Sequence, residues 1–74
     1  MTDTEAAVEA TRRWGGLAVA RDRAALGYAT SAAERYMVGV YGNRVINSVV
    51  VHGEGPTWEA AFADASAREE FLKP

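Results

Sequence analysis

The sequence predicts an α+β fold: an N-terminal helix, an antiparallel β-hairpin and a C-terminal helix. Three observations carry that prediction. A T-x-x-E box at Thr2–Glu5 precedes apolar residues at steps of three and four, two β-branched runs flank Gly42-Asn43, and an apolar stripe follows Thr57. Helices and strands repeat with different periods, so the spacing of apolar side chains identifies each segment.

In the first segment the Thr2 hydroxyl can accept from an orphan backbone N–H while Glu5 reaches back to the cap. Ala7, Ala10, Trp14, Leu17 and Ala18 then share one helical face. Gly15-Gly16 interrupts them, at about 1 kcal/mol per glycine relative to alanine. Ala18, Arg21, Ala25 and Tyr28 nevertheless continue the phase, so the expected helix runs from Thr4 to about Leu26, bent or broken at the glycines, with Gly27 as C-cap. A competing reading makes Leu17–Ala20 a short strand. Residues 27–33 form a connection, and Ser31-Ala-Ala-Glu34 suits one further helical turn.

Arg35–Tyr41 alternates through Tyr36, Val38 and Val40, and Arg44–His52 is rich in β-branched residues. Gly42-Asn43 between them suits a two-residue, glycine-first type II′ turn. Gly53-Glu-Gly-Pro56 is expected to stop the second strand. Thr57 then caps a helix whose stripe is Trp58, Ala61, Phe62, Ala65 and Leu72, with Pro74 closing the chain.

With that turn, Val40 faces Val45, Val38 faces Asn47 and Tyr36 faces Val49. Tyr36, Val38, Val40, Val45, Val49 and Val51 then form the core face to be covered by the helices. Arg35, Met37, Tyr41, Arg44, Ile46, Ser48, Val50 and His52 fall on the other. A two-stranded hairpin is marginal in water, and its edges invite another chain. A homodimer is therefore expected, extending the sheet or packing the second face, with Met37, Tyr41, Arg44, Ile46 and Val50 as the dimer or partner face. A partner protein would serve as well, and a merely solvated face is the alternative.

Composition bounds the function. The 74 residues carry 8 basic and 10 acidic side chains, for a net charge of −2, with one histidine and no cysteine. This length allows a single small domain over residues 1–74 and excludes multi-domain enzymes and barrels. Fifteen of the 36 hydrophobic residues are alanine, so the expected core is thin. Without cysteine there is no disulfide, zinc ribbon or thiol nucleophile. No apolar run approaches the roughly 20 residues of a membrane span. The acidic start Met-Thr-Asp-Thr-Glu differs from a basic leader, so a cytoplasmic protein is expected.

Candidate chemistry is sparse. His52 stands alone at a strand end, with no converging ligands for a metal and no partner for a general base. Ser31, Ser48 and Ser66 have no histidine–carboxylate pair around them in sequence. Gly53–Pro56 lacks the spacing of a phosphate loop, and Glu54 within it would repel phosphate. No catalytic residue, cofactor or metal is expected, and the chain is read as a non-enzyme.

Charge is segregated along the chain. Arg12, Arg13, Arg21 and Arg23 give residues 11–35 a positive surplus that could touch phosphates. The plainer reading lets Arg12 and Arg13 close the first helix and pair with Glu5 and Glu9. With a net charge of −2 and no nucleic-acid motif, direct nucleic-acid binding is not expected. Toward the C-terminus, Glu69 and Glu70 in the last turn oppose the helix dipole, at about 0.3–1 kcal/mol each. Glu59, Asp64, Glu69 and Glu70 are accordingly the candidate partner-binding residues, and their partner should be basic. A solvated acidic face is the alternative.

The segment Val49–Phe62, V-V-V-H-G-E-G-P-T-W-E-A-A-F, resembles the strand, glycine turn and threonine-capped helix of HicB-type antitoxins. Those carry a G-x-T-x-x-E-A step, and here Glu59-Ala60 comes one residue early. That resemblance covers about a fifth of the chain and implies an antitoxin or a small DNA-associated regulatory module. Taken whole, the cysteine-free α+β chain with segregated charge is similar in kind to small anti-CRISPR proteins of phages and mobile elements, particularly inhibitors of type I systems. Its arginine-over-lysine bias of seven to one fits a GC-rich host. This second resemblance implies a protein that binds the CRISPR surveillance complex and blocks target DNA recognition or nuclease recruitment.

Overall fold

The computed structural model describes residues 1–28 and 30–72, the side chain of Leu72 excepted, so the expectations placed on Leu72's side chain, Lys73 and Pro74 lie outside the described residues. The chain runs α1 (Asp3–Trp14), a 3-10 turn (Gly15–Leu17), β1 (Ala18–Asp22), a 3-10 turn (Ala32–Glu34), β2 (Tyr36–Asn43), β3 (Ser48–Gly55) and α2 (Trp58–Leu72). This is the α+β class expected, with one more strand. β1, β2 and β3 form an antiparallel meander in sequence order.

Both helices begin as their sequences predict. Glu5 N–H donates to Thr2 Oγ1 at 3.1 Å and Thr2 N–H donates to Glu5 Oε1 at 2.8 Å, closing the capping box. At α2, Ala60 N–H donates to Thr57 Oγ1 at 3.0 Å. The expected helix to Leu26 is corrected. α1 ends at Trp14, the Gly15 N–H closes on the Thr11 carbonyl, and Ala18–Asp22 pairs with β2 as a strand. The shorter-strand alternative at Leu17–Ala20 lay nearer the truth. Gly27 still caps a turn: its φ is +82°, its N–H donates to the Ala24 carbonyl, and the Tyr28 N–H donates to that of Arg23. Those are the two bonds of a Schellman motif, closing one helical turn rather than a long helix.

The hairpin register is also corrected. The turn is Arg44–Asn47, not Gly42-Asn43: Asn43 pairs with Ser48, Val45 N–H donates to Asn43 Oδ1, and Asn47 takes the left-handed conformation at φ 55°. Asparagine tolerates that region better than other residues with a β-carbon. Gly42 in β2 and His52 in β3 are left as bulges, so Val40 faces Val50, Tyr41 faces Val49 and Gly39 faces Val51. An odd slip exchanges faces along a strand. Val49 and Val51 therefore join Met37 and Tyr41 on one side, while Val50 joins Val38 and Val40 on the other. Val45, expected in the core, sits in the turn and is 94% exposed. β3 also continues past Gly53 to Gly55.

Both helices cover the same sheet face, α1 over β1 and α2 over β3. The Trp58 Nε1–H donates to Asp3 Oδ1 at one end, and the Trp14 Nε1–H donates to Glu69 Oε1 at the other, so the helices run parallel. The core between the layers is made of small residues: Ala6, Ala10, Ala61 and Ala65 are fully buried around Val38, with Trp58 and Phe62 nearly so. β3 meets α2 through glycine. A β-carbon added at Gly53 would lie 2.2 Å from the Ala61 carbonyl oxygen and 2.6 Å from the Ala65 nitrogen.

Because those atoms are helix backbone, Gly53→Ala should force α2 off the sheet. The expected cost is at the upper end of the roughly 1–3 kcal/mol of overpacking, read as a lowered thermal midpoint in circular dichroism. Acid should act through α1. Glu9 accepts from Arg12 and Arg13 in side-chain hydrogen bonds that push its carboxyl down to about 2 from 4.5. A lowered folded-state value contributes stability above the unfolded value and loses it as pH falls toward the folded one. Glu9→Gln should therefore flatten the dependence of stability on pH between about 4.5 and 2, measured by urea unfolding across that range.

Candidate functional site on the open sheet face

The face opposite the helices carries a cleft of about 520 Å³. Its floor is sheet: Met37 of β2, with Val49 and Val51 of β3. Arg21 of β1 and Asn47 of the turn stand on the hairpin side. Arg23, Tyr28, Thr30 and Glu34 of the β1–β2 connection, with Glu54 of β3, wall the rest. Met37, expected on an exposed partner face, is only 3% exposed. A cleft of this size with an apolar floor and convergent polar groups has the dimensions of binding sites in general.

The predicted basic patch is divided by the sheet. Arg12 and Arg13 lie on the helical side, both paired with Glu9. Arg13 also donates to the Phe62 carbonyl and Ser66 Oγ and sits over the Phe62 ring at 4.8 Å. Arg21 and Arg23 lie on the open side. Arg23 bridges the Glu34 carbonyl and the Glu54 carboxylate, closing the connection onto β3. Arg35 binds Asp22 through two bonds of 2.9 Å each. That pairing, chiefly its hydrogen bonds, holds the Asp22 carboxyl below its ordinary value.

Arg21 differs from these. Its Nη2 donates to Tyr41 Oη at 3.2 Å and to Asn47 Oδ1 at 2.8 Å, both neutral. Its Cζ stands 5.6 Å from the Tyr41 ring centroid, and that of Arg44 stands 5.7 Å from the same ring. Among the described residues, Arg21 and Arg44 are the two arginines with no carboxylate partner. Two uncompensated cations thus meet at one tyrosine, at the hairpin end of the cleft. Beside them Ile46 is 72% exposed and, on the helical side of β3, Val50 is 51% exposed.

The acidic candidates are mostly engaged within the chain. Glu59 pairs with the Met1 amine at 3.3 Å, and Glu69 accepts from Trp14. Asp64 Oδ2 accepts from the Glu54 N–H at 2.9 Å and pairs with Arg68, which also reaches Glu54. Glu70 is exposed and makes no hydrogen bond or ion pair among the described residues. His52, at its bulge, stacks on Trp14 with ring centroids 4.9 Å apart. Among the described residues, no three His, Cys, Asp or Glu side chains are placed to hold a metal ion. None of the described helices is long and apolar enough to cross a membrane.

Sequence reasoning placed Tyr41 and Arg44 on a shared face but missed Arg21 as their neighbour, because the expected helix hid β1. The alternation Ala18, Ala20 against Val19, Arg21 was the available signal. Asp64→Ala should cost about 1–3 kcal/mol, the loss from stranding a partly buried donor at Glu54. Glu70→Ala should stay within about 0.5 kcal/mol of the parent. Urea midpoints of the two variants check this.

In comparisons with known proteins, no family model, curated protein or solved structure matches this chain.

Proposed function

We propose that this chain is a non-enzymatic protein-binding module, working in the cytoplasm as a stoichiometric inhibitor that covers a functional surface of its partner. The observation that carries this reading is the sheet face left uncovered by both helices, whose cleft opens beside the exposed hairpin tip Val45-Ile46. Apolar side chains presented on a short, well-paired hairpin suit contact with another protein. A rigid domain of this size can offer the roughly 800 Å² per partner that specific complexes use. The anti-CRISPR resemblance supplies the partner class, a type I surveillance complex whose target recognition or nuclease recruitment would be blocked sterically. Tethering argues against mimicry of DNA by α2, since three of its four candidate carboxylates are bound within the chain.

A second reading, a HicB-like antitoxin or a small DNA-associated regulatory module, draws on β3 leading through Gly55 into the Thr57-capped α2. Homodimerisation through the hairpin tip is compatible with either. It is not needed to complete the sheet, because β1 supplies a third strand.

A tagged pull-down from a lysate with an active type I CRISPR system separates these readings. Stoichiometric recovery of surveillance-complex subunits is the expected result. Recovery of a small toxin, or of DNA alone, overturns it in favour of the regulator.

A further inference from the structure

We infer that the hairpin end of the open-face cleft is a docking site for an extended segment of a protein partner, acidic at its hairpin end and apolar beyond it, held by Arg21 and Arg44 beside Tyr41. This rests on the protein-binding reading and names the chemistry of its partner. Charge allocation is the first argument. Arg12, Arg13, Arg23, Arg35 and Arg68 each have a carboxylate, whereas Arg21 and Arg44 share one tyrosine ring and have none among the described residues. Two cations without a carboxylate partner near one ring raise the local positive potential, which an anion lowers.

Geometry is the second argument. Arg21 is pre-positioned by Tyr41 Oη and Asn47 Oδ1 through Nη2 alone. Its Nε and Nη1 donors make no hydrogen bond among the described residues, which leaves planar N–H groups for a carboxylate. The floor beside them is apolar, Val49 and Val51, and the tip adds Ile46. An extended segment can set carboxylates at its hairpin end against the arginines while apolar residues further along it meet the valines.

The cleft's polarity chooses between macromolecules. Its far end carries Glu34, Glu54 and Arg23, with Glu54 already paired to Arg23 and Arg68, so no unpaired cation stands there to meet a phosphate. A nucleic acid, charged at every phosphate, would meet those carboxylates, whereas a peptide can carry its acidic residues at one end only. The surface is thus the inverse of the acidic-helix site, and the partner segment it selects is acidic rather than basic.

The test is a titration of the isotope-labelled full chain, followed by backbone amide shifts. The probe is a capped peptide of three glutamates followed by three leucines. Controls are the same peptide with lysine for glutamate, the same with serine for leucine, and a single-stranded oligodeoxynucleotide of equal charge. Saturable shifts at Arg21, Tyr41, Arg44, Val49 and Val51 with the first peptide alone are expected. Arg44→Ala should weaken binding about tenfold, as should Arg21→Ala. Arg44 donates no hydrogen bond among the described residues, so its variant reports on binding even if Arg21→Ala disturbs the sheet. Absence of shifts at millimolar peptide, equal binding of the lysine or serine peptide, or tighter binding of the oligonucleotide each overturns the proposal. Recovery of surveillance-complex subunits that is unaffected by Arg44→Ala would remove this site and leave the inhibitor reading standing. Peptide binding without such recovery would do the reverse.

Discussion

The contact on which this fold depends is the close approach of α2 to β3, where Ala61 and Ala65 lie against Gly53 and Ala60 against Gly55. There is no space for a β-carbon at either glycine, so helix backbone rests on strand backbone. Small side chains also line α1, at Ala6 and Ala10, and the layers close with Val38 as the largest fully buried side chain. Close packing of this kind gains dispersion contacts without large apolar volume, which is how a chain with so many alanines forms a core at all. Trp58 is buried within the core and Trp14 packs at its border, and each turns its N–H group to a carboxylate of the other helix.

That arrangement explains the acidic residues of α2 without recourse to a partner. Glu69 works against its own helix dipole, and the structure shows what it does instead: it accepts from Trp14 and so ties the end of α1 to the end of α2. Asp64 performs the corresponding task at the centre, taking the Glu54 N–H that β3 presents at its edge. Glu59 fixes the chain's first residue beside the start of α2. A carboxylate committed to a tether is held in one rotamer, which makes it a poor recruit for a distant cation. Among the described residues, the arginines without a carboxylate partner are Arg21 and Arg44 at the open face, while on α2 Glu70 alone of the four acidic candidates has no partner.

Helix starts were legible because each is written in a few adjacent residues. Thr2 with Glu5, Thr57, and Gly27 as a turn cap all act through local backbone geometry. What sequence could not show was pairing. Ala18–Asp22 is compatible with helix by propensity, since alanine is the best helix former, and it becomes a strand only because β2 offers it a ladder. The hairpin register failed for a related reason. Gly42-Asn43 has the chemistry of a tight turn, but Gly42 serves as a bulge and Asn43 as the side-chain cap of the following turn. The left-handed Asn47 was the competing signal. A slip of this kind moves no residue far, yet it exchanges the faces of Val49, Val50 and Val51, and with them the identity of the exposed surface.

The missed strand and the candidate site have the same origin. β1 completes the sheet from within the chain, which removes the marginal two-stranded hairpin that argued for a dimer. The same strand turns Arg21 away from Arg12 and Arg13 and delivers it to the open face, across from Met37 and within reach of Tyr41 and Asn47. Strand pairing thus sets Arg21, which has no carboxylate partner among the described residues, at the edge of the apolar floor. Helix cover on one face, forced by the glycine–alanine contact, keeps that floor free. The open face is therefore a consequence of how the core is packed, because both helices lie on the other side of the sheet and the β1–β2 connection only walls this one.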